Sequence, residues 1–499
     1  ASPLSTTTME PPVPRSAAAP QRIVALVFAV ALGLLLATPR PALAHLHLRH
    51  SSPAAKAVLD TVPREIRLVF TEAPALAVSS IRLLAADGSE VPLGALGIDP
   101  DSATALVARI TAAQLSAGSY TVVWRTASAD GHPMEGRFGF TIAEGAVGLA
   151  AAPQASAAVG DTTGAAPESA AVPAPAAAEA PAASLPTELD IESPVYVAIR
   201  WVGYAAIAVL IGAVVFALVV APKVPTIRHD ALPVAARTAA IAAIVLIIAW
   251  VARLVAQSYA LGDVGIGAIL GGTTWGKAWI IGAGAALVAL GAAVLAGRGE
   301  SRAGWAVLAL AALAVAVALP LSGHAVATPR LSTVAVVADA LHVLAAGGWL
   351  GTLLVTVVAG IPVTLRGAPG SRGREASALI GAFSPIALSC AGLLVVTGLV
   401  AAILHLGSVG ALWQSRYGQV LLLKLAVIAV LLVVASINWR ILRPRLGTDQ
   451  ATRRIRGSAV AELGLALVVL VVTAVLVATP PPAESSVMQT RAIPPGAVR

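Results

Sequence analysis

Two patterns of apolar and polar positions divide this chain. From about residue 194 onward the apolar residues come in long runs, near 194–221, 234–258, 276–296, 303–321, 332–361, 377–403, 417–439 and 457–479. Each run is long enough for a helix crossing a ~30 Å hydrocarbon layer, which takes about 20 residues. The pattern predicts an all-α polytopic membrane domain of eight transmembrane helices over 194–482. Residues 45–143 follow a different rule. Ile66, Leu68 and Phe70 alternate with Arg67 and Val69; Tyr120, Val122 and Trp124 alternate likewise, as do Phe138, Phe140 and Ile142. Period-two runs broken by Gly, Pro, Asp and Ser clusters predict a small antiparallel β-sandwich, and about 100 residues suffice for one such core.

Two further segments follow neither pattern. Residues 144–190 are rich in Ala, Pro, Ser and Gly and have no aromatics, so they cannot bury a core and are expected to form a semi-extended linker. Residues 1–44 read as a signal peptide: Arg15 and Arg22 precede the apolar stretch 23–37, and Ala42-Leu43-Ala44 is the small-x-small sequence that signal peptidase cuts after. An uncleaved signal anchor is the competing reading. Export of the β-domain makes the first helix enter from outside. The loops agree with that topology. Arg298, Arg302, Arg366, Arg372, Arg440 and Arg443 fall in loops expected inside, against only Arg330 and Arg416 outside. An even number of spans returns the tail, 483–499, to the extracytoplasmic face.

Composition sharpens this picture. Charged residues make up 12% of the 499 and apolar ones 58%; a soluble domain carries roughly twice that charge. The net charge of +8 sits in short loops between apolar runs, so it marks topology and predicts no nucleic-acid partner. The lone Cys390 excludes a disulfide within the chain, and three methionines are too few for a thioether Cu(I) site. No Gly-x-x-x-x-Gly-Lys-Ser/Thr sequence is present, so no nucleotide drives the protein through that motif.

The chemistry lies in the histidines. Cleavage after Ala44 would make His45 the mature N-terminus. Its α-amine and imidazole, with His132 and Asp130, would form a nitrogen-rich set of the kind that suits Cu(II) in square arrangement. Asp130-Gly131-His132-Pro133 puts the two side chains on one side of an extended segment, with Gly131 free to turn close to an ion. By spacing alone the string fits a polar β-turn as well. Within the spans, Arg200, Asp339, His342, Lys424 and Glu462 are ionisable residues that need partners or a pathway. Asp339 and His342 share a helix face at i, i+3, and His342 lies about ten residues, roughly 15 Å, into its span. Gly347, Gly348 and Gly351 are small enough for another helix to approach closely. Lys424 is expected to snorkel to the headgroups. His324 and His405 stand at span ends expected outside, which biases copper ligands to that face.

Several separated motifs resemble known families. His45 followed by Leu48 and Ser51-Ser52-Pro53, then Phe70-Thr71-Glu72, 120–125 and 128–133, resemble the CopC copper-binding proteins in order. The resemblance implies a Greek-key β-sandwich binding Cu(II) through His45, Asp130 and His132, with Glu72 near the metal. A methionine-rich Cu(I) stretch found in some relatives is missing. Ser322-Gly323-His324-Ala325, Asp339-Ala340-Leu341-His342, Gly348-Trp349-Leu350-Gly351, Thr397-Gly398 and Tyr417-Gly418 with Lys424 resemble the CopD copper-resistance membrane proteins. That implies copper moving across the cytoplasmic membrane, inward in fusions of the two. His324, Asp339, His342 and His405 are then a candidate membrane pathway. The partners expected are copper ions, the lipid bilayer, and an external copper chaperone or reductase. Two other functions compete with transport. One is a membrane-anchored copper buffer; the other is an oxidative enzyme built on an N-terminal histidine brace. An Asp130 ligand would occupy a position that oxygen chemistry needs open, and eight spans exceed what an anchor needs.

Overall fold

The computed structural model of the protein describes residues 46–112, 115–128, 131, 133–147, 193–262, 264–298, 301–323, 325, 331–368, 370–438, 440, 449–479 and 482, with the side chains of 449–456 left aside. The sequence-predicted signal peptide, most of the linker and the tail lie outside these residues. Among the described residues, nine strands form the N-terminal domain: β1 Leu48–Ser52, β2 Val58–Thr61, β3 Glu65–Phe70, β4 Ser80–Ala85, β5 Glu90–Val91, β6 Gly97–Asp99, β7 Ser102–Arg109, β8 Gly118–Ala127 and β9 Pro133–Val147. They make two sheets, of order β1-β3-β7-β6 and β2-β9-β8-β4-β5. The alternating residues fill the space between them. Ile66, Leu68 and Phe70 are at most 1% exposed, and Phe138, Phe140 and Ile142 at most 4%. The Phe70 and Trp124 rings meet edge to face at 5.3 Å, and Tyr120 stacks on Phe140 at 5.6 Å. Gly136 lies opposite Trp124 in the β8–β9 ladder, where an added Cβ would stand 2.7 Å from the indole.

One pairing departs from the antiparallel pattern expected. Strand β2 runs parallel to β9. The chain crosses from one sheet to the other between β1 and β2, so no hairpin sets the direction of β2.

Among the described residues, eight helices of the membrane domain are long and apolar enough to span: α1 Pro194–Lys223, α2 Pro225–Leu261, α4 Thr274–Gly297, α5 Arg302–Leu321, α6 Ser332–Arg366, α7 Arg372–Leu406, α9 Arg416–Ile437, and Gly457–Ala478 within α10 (Asp449–Ala478). Two short helices, α3 Ile266–Gly272 and α8 Ala411–Gln414, also lie among the described residues. Helix α1 is central and packs on α2, α5, α6 and α10. Its contact with α6 is made backbone to backbone. A Cβ on Gly212 would stand 1.9 Å from the Gly351 carbonyl carbon, and one on Gly351 would stand 1.8 Å from Ala208 O. Gly347 faces Ile211 of α1, whereas Gly348 faces Cys390 of α7. The three glycines thus let α6 approach two helices at once, in the membrane mode where van der Waals fit replaces hydrophobic drive. The same stretch, Gly347–Gly351, winds as a π-helical turn.

Candidate functional site

Three segments converge at one end of the sandwich. The His47 amide donates to Thr71 Oγ1 at 2.8 Å, and the Thr71 amide donates to His47 O at 2.9 Å. Leu46, fully buried, plugs the core beside them. The Ala75 amide donates to Ala127 O at 3.0 Å, and the Ser79 and Thr126 hydroxyls share a 2.7 Å hydrogen bond. The segment carrying Glu72, just after β3, is therefore tied to the start of the sandwich on one side and to the end of β8 on the other. Beyond β8 the chain turns, with the Gly131 amide donating to Ser128 O at 2.9 Å. His45, Asp130 and His132 lie outside the described residues. Glu72 is half-buried at this same end.

This end of the sandwich is seated on the helices. Gln257 Nε2, at the end of α2, donates to Gly131 O at 2.5 Å. Arg125 Nη1 donates to Leu261 O at 3.2 Å while the same guanidinium holds Glu135 at 2.8 Å. Val78 and Ala127 of the sandwich pack with Leu261, Ile269 and Trp275 of the bundle. Gly131 has φ +85°, and an added Cβ would lie 2.9 Å from the Trp275 ring. Glycine is thus required twice at this position, by its left-handed backbone and by the indole against it.

Polar groups continue below the seat. Arg253 is one helical turn from Gln257 on the same face of α2. Its Nη2 donates to Ser322 O at 3.0 Å and Ser322 Oγ at 3.1 Å. His324, two residues beyond Ser322, is outside the described residues. Arg200 is 8% exposed, so it is held inside the bundle, with its guanidinium 4.5 Å over the Tyr196 ring. Tyr204 of α1 is electrostatically coupled to both arginines and to Asp339.

Deeper in α6, His342 Nδ1 lies 2.8 Å from Thr397 Oγ1 of α7. The Thr397 hydroxyl donates to Leu393 O at 2.8 Å. Its proton is thereby used, so Nδ1–H of His342 donates to it, and Nε2 carries the free lone pair. That is the state a metal-ligating imidazole requires. Lys424 interacts electrostatically with both Asp339 and His342. Lys424 is half-buried on α9, and the Asp339 carboxylate offsets part of its charge. Glu462 is also accounted for. Asn438 Nδ2 donates to Glu462 Oε1 and Ser458 donates to Asn438 Oδ1, a polar tie between α9 and α10. His405, in the last turn of α7, stands 6.2 Å from the Tyr417 ring at the start of α9. Among the described residues, no three His, Cys, Asp or Glu side chains gather into a cluster able to hold a metal ion.

Sequence reasoning missed Gln257, Arg253 and Trp275. The signal available was the i, i+4 pair of polar residues, Arg253 and Gln257, in an otherwise apolar run.

Comparison with known proteins fits this division. The CopC domain matches residues 48–143, the copper resistance protein D-like N-terminal domain matches 189–334, and copper resistance protein D matches 377–476. The chain is 25% identical to the copper transport protein CutJ of Bacillus subtilis (strain 168) over 485 residues, 94% of this chain and 80% of that protein. Copper resistance protein C of Escherichia coli is 32% identical over 119 residues, 22% of this chain and 90% of that one. The crystal structure of CopC from Methylosinus trichosporium OB3b shares 35% identity over 20% of this chain and 93% of its own, with a TM-score of 0.18. These families act in copper resistance and transport and are not enzymes. The chain is a multi-pass membrane protein that joins a CopC domain to a CopD domain, and it belongs to the CopC–CopD family of copper resistance and transport proteins.

Proposed function

We propose that the chain captures Cu(II) outside the cytoplasmic membrane and passes copper inward through the helix bundle. In this reading residues 1–44 are removed, and the His45 amine and imidazole, Asp130 and His132 hold the metal with Glu72 beside them. The sandwich and the tail are extracytoplasmic, in keeping with the charge asymmetry of the loops. The observation that carries the proposal is the seat: Gln257 bonds Gly131, the residue between the two candidate ligands, at the mouth of the bundle. Copper released there meets His324, then Asp339 and the free Nε2 of His342, with His405 at the same mouth. A lower metal charge would lessen the cost of entering the bilayer, so a reductase or chaperone outside is a natural partner.

Two substitutions test the two halves. His132→Ala should abolish tight Cu(II) binding by the full chain, and unchanged affinity would remove the ligand set. Gln257→Leu should keep Cu(II) binding but lower copper uptake into cells. Uptake at the normal rate would leave the chain a membrane-anchored buffer.

A further inference from the structure

Two guanidinium groups are buried beneath the seat. Arg200 and Arg253 are only 8% and 9% exposed. Arg253 stands 5.5 Å from the Trp250 ring and 5.6 Å from the Trp275 ring, and it uses Nη2 on Ser322. Arg200 lies on Tyr196, which is 1% exposed and within reach of both guanidiniums. Two N–H donors remain. Arg200 Nη1 and Arg253 Nε are shut off from solvent and meet no acceptor. The ion pairs Arg67–Asp99, Arg82–Glu90 and Arg125–Glu135 of the sandwich involve neither arginine.

Buried charge is costly unless it is paired, and a guanidinium cannot shed its proton to escape that cost. Two such charges beneath the seat also repel any cation moving inward. We infer that Arg200, Arg253 and Tyr196 hold a small monovalent anion, chloride or a carboxylate of similar size, at the mouth of the bundle. Arg200 Nη1 and Arg253 Nε donate to it, with the Tyr196 hydroxyl beside them. The anion offsets the two guanidiniums, so the mouth no longer opposes an arriving cation. The site itself stands apart from the copper reading; only its effect on passage rests on it.

The test uses the purified full chain in detergent, in gluconate buffer, with radiolabelled chloride as probe. The wild type should bind chloride saturably, and unlabelled formate should compete if a carboxylate fits the same place. Arg200→Gln and Arg253→Gln should each weaken binding about tenfold or more, the loss expected for a hydrogen bond to a charged group. Absence of saturable binding of both chloride and formate to the wild type would overturn the site, as would unchanged affinity in both variants. Should the variants fail to fold, the melting temperature of the wild type decides. Chloride should raise it saturably over gluconate at equal ionic strength, and superimposed melting curves would refute the proposal. Cu(II) binding measured on the same sample reports separately on the copper reading.

Discussion

Thr397→Val isolates the role of His342. Valine keeps the branched shape of threonine, so packing between α6 and α7 changes little, but the hydroxyl is lost. In the wild type that oxygen accepts from His342 Nδ1 at 2.8 Å and donates to Leu393 O at 2.8 Å. The substitution leaves a half-buried imidazole N–H without its acceptor, at a cost of up to about 1–3 kcal/mol. It also frees the ring to exchange tautomers and to rotate, so Nε2 no longer points where the metal must meet it. Loss of such an outer partner typically weakens metal binding 10–100-fold. The assay is copper uptake by full-length protein in proteoliposomes at varied copper. The apparent KM should rise by about one to two orders of magnitude. Thr397→Ser, which keeps the hydroxyl, should restore it. Wild-type KM and maximal rate in Thr397→Val, with the protein folded, would refute the assignment of His342 to the pathway.

Other outcomes follow from the same structure. Gly351→Ala puts a methyl group 1.8 Å from Ala208 O, so α1 and α6 must part, at a cost of about 1–3 kcal/mol or more; thermal unfolding in detergent should show the loss. Trp275→Ala should free the sandwich from the bundle, and hydrogen exchange at Leu76–Val78 and Gly131 should rise while the β8–β9 ladder stays protected. Asp99 is held below the usual carboxylate range by the Asp101 amide and then by Arg67, 2.5 Å away. A depressed carboxyl stabilises the fold above about pH 4 and loses that contribution as pH falls through its lowered value. Asp99→Asn should therefore flatten the acid limb of exchange protection at β6 and β7, and an unchanged limb would contradict the pairing.

Much of the architecture could be read from the residues in order. Long apolar runs mark helices because a bilayer offers the backbone no partners but its own. The period-two runs around Ile66, Val122 and Phe140 mark the sandwich faces because a strand side chain has only two sides to choose from. What escaped are the contacts between distant parts. Gln257 and Gly131 are 126 residues apart, and neither has a local signature of its partner. The parallel β2–β9 pair was hidden for a similar reason, since crossing between sheets leaves no hairpin in the sequence. At the site, Gly131 seemed needed for closeness to an ion; in the fold it is closeness to Trp275 that excludes a side chain. Lys424 was read from length and position alone, which say nothing of Asp339, a carboxylate on another helix that offsets part of its charge.

Radiocopper flux into proteoliposomes holding the purified full chain, oriented with the sandwich outside, tests the central claim most directly. Saturable accumulation in the lumen, lowered in Gln257→Leu and lost in His342→Ala, is the result expected. Copper that stays bound at the outer face, with lumenal counts equal to those of protein-free vesicles, would contradict it.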